Sequence, residues 1–270
     1  GKFSNELTDS DDLRLLDQEI NSLNQDINIQ EIIKLGSSVK IGTSLTYNDD
    51  DYLDKVYMEY DARAIQPFYN FDEAVDLSKV KSTLPLEIDF LDHKFRITDV
   101  PSNTRFTASV GDRKYMETGS SVVVDGKTVK LVKVGSANAI VVDVDGTTEV
   151  IQSGSVKTIN GIEVKNEETF YDQNGVSSAQ LVIGKNAVET FNDGDAFIDE
   201  DKKNPEWVWV LSNLLSNTAT NLDTGAGIQF GVENDNTVND ASDNPVAVGE
   251  CLQIPNEYIS ICIDSLSTDD

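Results

Sequence analysis

Oxygen-rich loops are the most conspicuous chemical feature of this 270-residue chain, which holds 48 acidic side chains and a single histidine. Three loops cluster them: Asp49, Asp50 and Asp51; Asp193, Asp195, Asp199 and Asp201; and Asp235, Asn236, Asp240 and Asp243. Hard cations take oxygens from carboxylates, side-chain amides and backbone carbonyls, commonly on loops. Such loops are therefore candidate Ca2+ sites, the second and third above all, although none follows the EF-hand spacing. The alternative for each is a solvated acidic loop. Crowded carboxylates repel one another, however, and this favours at least one bound cation. Catalytic devices are poorly supplied by comparison. A nucleophile–histidine arrangement would have to be built on His93, which falls at a turn between Asp92 and Lys94. Cys251 and Cys262 have no histidine beside them and do not make a zinc site. A turn near Pro255-Asn256-Glu257 would set the two cysteines on facing strands, as a disulfide or as two small buried thiols. There is no glycine-rich phosphate loop and no nucleophile elbow. Paired carboxylates of the glycosidase kind arise by chance among so many acids. The chain thus reads as non-enzymatic. Trp207 and Trp209 share one face of an apolar run, as a carbohydrate platform, an interface anchor or, as alternation in an apolar strand favours, core.

Charge narrows the partners. With 21 basic residues against the 48 acids, the formal net charge is −27 and the isoelectric point about 4.1. Nucleic-acid binding draws on Lys and Arg to neutralise phosphates, and anionic lipid headgroups repel an acidic surface, so neither partner is expected. No apolar run reaches the roughly 20 residues of a membrane-spanning helix. The opening Gly1-Lys2-Phe3-Ser4 lacks a signal-peptide apolar region, so a secreted protein would be seen here without its signal peptide. A disulfide would place the protein in an oxidising, extracellular compartment.

The elements that must position these residues are read from periodicity. Leu13, Leu16, Ile20, Leu23 and Ile27 fall at helical spacing and predict one helix over 8–35, with Ser10 as its cap and Gly36 just past its end. Its narrow apolar stripe resembles a coiled-coil seam and is the candidate assembly interface. After Gly36 the texture is β. Alternating runs predict strands at 39–47, 56–62, 84–91 and 95–100, and then a dense series over 104–184. Gly111-Asp112, Asp125-Gly126, Asp145-Gly146 and Asn160-Gly161 punctuate that series, and Asp-Gly and Asn-Gly pairs mark hairpins because both turn residues must take positive φ. Strands follow at 207–211, 226–233, 246–254 and 257–266. The expected organisation is a helical segment (1–36), a β-rich region (37–103), a sandwich or barrel of antiparallel strands (104–184) and a C-terminal β region with the cysteine pair (185–270).

Three runs carry a family resemblance: LPLEIDFLDHKFRITDV at 84–100, SVVVDGKTVKLVKVGSANAIVVDVDGTTEVI at 121–151, and SGSVKTINGIEVKNEETFYDQNGVSSAQLVIG at 153–184. Together with NPVAVGECLQIPNEYISICIDSL at 244–266, they resemble archaeal surface-layer proteins and related secreted envelope proteins over roughly 37–266. The recurring features are a VxVDGKTVxLVxVG hairpin, a VDVDG turn and an NGIEV…SSAxLVIG ending; in the first run, Asp92 stands where the pattern has Gly. The resemblance implies all-β, antiparallel, Ig-like β-sandwich domains, secretion, and lateral self-assembly into a lattice or filament. The partners would be copies of the same chain, other envelope proteins or surface glycans. One family trait is missing, since no Asn-X-Ser/Thr sequon occurs. The second functional expectation is a monomeric surface adhesin or carbohydrate-binding β module.

Overall fold

The computed structural model describes residues 5–43, 56–239, 243 and 245–264. The described residues are built from antiparallel strands and hold no α-helix, only short 3-10 turns such as Leu77–Lys79 and Pro255–Glu257. Two compact units emerge. One comprises Gly1–His93, Val100–Phe106 and Phe191–Asp270; the other comprises Lys94–Asp99 and Thr107–Thr190.

The helix expected over 8–35 is not formed. Asp17–Ser22 and Gln25–Leu35 are instead two arms of a hairpin. Leu23 and Asn24 make its turn with φ of 53° and 62°, the doubly positive conformation of a tight hairpin. The helical spacing is a coincidence of hairpin geometry, in which Ile20 lies directly opposite Ile27 across the ladder. Local chemistry supports the strand. Ile27, Ile29, Ile32 and Ile33 are β-branched, and Asn21, Asn24 and Asn28 compete with helical hydrogen bonds. Along Gln25–Leu35, every second residue from Ile27 to Leu35 is buried.

That strand is the spine of the first unit's main sheet. Glu6–Leu7 and Asp17–Ser22 pair along it, and beyond it follow Ile65–Phe71, Gln229–Asn234 and Trp207–Ser212. Gly231 makes the central approach possible: it faces Phe68, and a Cβ there would stand 2.4 Å from the Phe68 ring. Aromatic rings fill the core of this unit. Trp209 packs against Phe197, Phe106 and Phe230 with centroids 4.9, 5.2 and 5.4 Å apart, and Phe90 and Tyr69 extend the cluster. Burying such rings is a large apolar contribution, and their edge-to-face contacts add roughly 0.5–1.5 kcal/mol per pair. The Leu86–Phe90 and His93–Ser102 strands turn on Leu91 and Asp92, at φ of 50° and 62°. Asp92 thus adopts the left-handed conformation without glycine.

The second unit contains two four-stranded antiparallel sheets. One orders Asp112–Glu117, Ser178–Gly184, Ile162–Phe170 and Val156–Ile159; the other orders Ser121–Val124, Lys127–Val134, Ala139–Val144 and Thr147–Gln152. Their inward residues form a single core that includes Val129, Leu131, Val142, Val144, Ile162, Val164, Leu181 and Ile183. This is a β-sandwich built from consecutive hairpins except at Asp112–Glu117, which pairs with the distant Ser178–Gly184. The expected Asp-Gly and Asn-Gly turns are present: Asp125-Gly126 at φ of 48° and 73°, Asp145-Gly146 at 46° and 88°, and Asn160-Gly161 at 50° and 81°. Gly111-Asp112 closes no hairpin, because the strand that follows it pairs with Ser178–Gly184.

Candidate functional site

Several of the acidic loop carboxylates accept backbone amides. Asp193 Oδ1 accepts from Leu211 N at 2.8 Å, and Asp195 Oδ2 accepts from Asn192 N at 2.8 Å and Asn192 Nδ2 at 2.7 Å. Asp201 Oδ1 accepts from Lys203 N, and Asp199 sits in the left-handed region at φ 68°. Asp235 N donates to Glu206 O at 2.8 Å. Asn236 is held by Tyr60 and Asn234, and Asp243 Oδ2 accepts from Asn239 N at 3.1 Å. Asp240 and the Asp49–Asp51 loop lie outside the described residues. Among the described residues, no three His, Cys, Asp or Glu side chains converge as a ready-made metal cage.

Cys251 and Cys262 are bonded to each other, as direct cross-strand partners of the Cys251–Gln253 and Ser260–Cys262 hairpin. Behind this hairpin is a cluster that the sequence did not announce. Glu31, 1% exposed, accepts from Leu91 N through Oε1 and from Leu16 N through Oε2, both at 3.1 Å. The Tyr258 hydroxyl lies 2.5 Å from the same Oε2 and also contacts Arg14 O, while Asn256 reaches Leu91 O. Burial raises the Glu31 carboxyl above its ordinary range, and nearby Asp89 adds to the shift against the hydrogen bonds that lower it. Tyr69, the cross-strand partner of Glu31, is buried in the aromatic core with its hydroxyl unpartnered. The only advance signal for this cluster is a Glu inside an isoleucine-rich alternating run.

The other residues singled out from the sequence divide between core and surface. Trp207 and Trp209 are both buried, so they are core and not a platform. His93 stacks edge-on to Phe197 with centroids 5.5 Å apart, and burial lowers its pKa against the opposing pull of Asp199 and Asp92. The five residues of the expected helical seam do not share a face: Leu13 is 95% exposed, whereas Leu23 and Ile27 are buried.

The second unit contributes two further features. Lys165 is buried and donates to Ser109 Oγ at 2.9 Å, beside Glu167, which is bridged by Arg96 at 3.0 Å and Arg113 at 2.6 Å. Burial is the main cause lowering the Lys165 pKa; Glu167 opposes it, and the two arginines reinforce it. Separately, large apolar side chains lie exposed around one hairpin end: Tyr115 (61%), Phe170 (42%), Tyr171 (47%) and Val176 (65%). The Tyr115 and Phe170 rings are 6.1 Å apart, and Ser178 holds the Tyr115 hydroxyl at 2.6 Å. Phe170 faces outward because a register shift between Asn166 and Glu168 changes the phase of its strand. Simple alternation could not reveal that.

Comparison with protein-family models, curated proteins and solved structures gives no match to this chain.

Proposed function

We propose that this protein is a structural component of the cell exterior that self-assembles into a surface lattice or filament. The observation that carries this reading is the exposed group of Tyr115, Phe170, Tyr171 and Val176 at one hairpin end. Grouped exposed aromatic side chains favour contact with a partner surface, since their burial yields more than that of scattered apolar residues. The resemblance of 121–184 to surface-layer proteins points the same way, and the disulfide suits an oxidising exterior. A net charge of −27 opposes the approach of identical copies, so assembly would depend on screening or on cations held at the acidic loops. The Asp193–Asp201 and Asp235–Asp243 loops are the proposed Ca2+ ligands. A second reading, a glycan-binding surface module, is favoured by the same Tyr115–Phe170 pair, whose exposed rings can stack on a sugar face.

Light scattering and negative-stain imaging, with Ca2+ and with a chelator, separate the two. Ordered polymer or a stable oligomer in Ca2+, lost in a Tyr115→Ser/Phe170→Ser double variant that melts like the parent, supports assembly. A wild-type chain that stays monomeric in both conditions sinks that reading, and saturable glycan binding by that monomer establishes the second.

A further inference from the structure

The Tyr258 hydroxyl has one proton and two neighbouring acceptors, Arg14 O and Glu31 Oε2. If Glu31 is ionised, only one of them can be served, and the other faces an oxygen lone pair at contact distance. If Glu31 carries a proton on Oε2, every group is satisfied. Glu31 then donates to Tyr258, Tyr258 donates to Arg14 O, and Glu31 still accepts from Leu16 N and Leu91 N. We propose that Glu31 is a neutral carboxylic acid in the folded protein, and that its proton latches the Cys251–Cys262 hairpin to the N-terminal segment, so that rising pH loosens the hairpin.

The surroundings agree from every side packed against Glu31. Tyr69 faces it across the ladder from the Ile65–Phe71 strand, Asp89 repels its charge from Leu86–Phe90, and Asp92 lies near Tyr258 at the next turn. Arg14 would favour ionisation, but its guanidinium is held by Asp12 at 2.9 Å at the surface. The burial that raises the carboxyl acts in the same direction. A carboxyl raised in the folded state contributes its stability below the ordinary glutamic acid value and loses it as pH rises through the folded value. The contact of Asn256 with Leu91 O joins neutral groups and does not share this dependence.

Two variants of the full chain test it. At about pH 6.5, where exposed carboxyls are ionised, infrared spectra should show a protonated-carboxyl carbonyl band that Glu31→Gln removes. Hydrogen exchange at Ile254 and Ile263, whose amides bond within the hairpin, should then report the latch. In the wild type, the opening equilibrium relative to Glu31→Gln should rise by up to about tenfold per pH unit between the ordinary glutamic acid value and the folded value and level off above it, as release of one proton on opening requires. Glu31→Gln should be flat with pH even though it protects less, because an amide nitrogen at the Oε2 position cannot accept from Leu16 N. Tyr258→Phe should expose the hairpin amides while leaving the main-sheet amides protected. Absence of the carboxyl band, or parallel pH profiles for wild type and Glu31→Gln, overturns the proposal; neither result bears on self-assembly.

Discussion

At the scale of single residues, buried polar groups decide more than the abundant exposed ones. Lys165 is the clearest case outside the Glu31 cluster. Its folded pKa lies below the ordinary lysine value because its ammonium is buried, with Arg96 and Arg113 nearby. Below that ordinary value the unfolded chain binds more protons than the folded one, so this residue makes stability rise with pH through the window beneath it. Lys165→Met should flatten that dependence, so that the wild-type urea midpoint gains on that of the variant as pH rises from neutral towards the ordinary lysine value. Profiles that stay parallel would show that the lysine is not the source. Neither Lys165 nor Glu31 was legible as special in the sequence, where each is one charged residue in an alternating run. What sets them apart is the partner across the ladder or on another strand.

At the scale of elements, sequence signals worked where backbone chemistry is local. Asp-Gly and Asn-Gly pairs adopt the positive φ values that hairpins need, and the second unit's strands follow from them. The same turn made by Leu23-Asn24 and Leu91-Asp92 has no glycine to announce it. Ile65–Phe71 hides in a similar way, because Pro67 argues against a central strand, yet it pairs with Ile33 inside the main sheet. The hairpin in place of a helix has a direct consequence. Ile29 lies off the helical stripe but is fully buried, so Ile29→Ala should cost about 2–5 kcal/mol in denaturant unfolding. Leu13, which begins the stripe, points to solvent, and Leu13→Ala should change stability by less than about 0.5 kcal/mol. Equal losses at both sites would contradict the hairpin.

At the scale of the whole molecule, charge is the governing quantity. A net charge of −27 stores self-repulsion that any bound cation relieves. Millimolar Ca2+ should therefore raise the melting temperature more than NaCl of equal ionic strength, and a chelator should reverse the gain. Equal effects of the two salts would mean that screening alone acts and that the acidic loops hold no specific site. The loop geometry makes this a real test, since Asp193, Asp195 and Asp201 each already spend a carboxylate oxygen on a backbone amide.

By itself the sequence determined the β character beyond Gly36, the hairpins closed by Asp-Gly and Asn-Gly and the acidity, and it favoured a buried tryptophan strand. Each of these depends on composition or on neighbours two to four positions away. Tertiary structure alone decided that Ile20 and Ile27 face each other across a ladder, that Glu31 meets Tyr258, and that Phe170 turns outward past a register shift. Those outcomes depend on which distant strands pair and in what phase, and a single extra residue in a strand reverses every face beyond it.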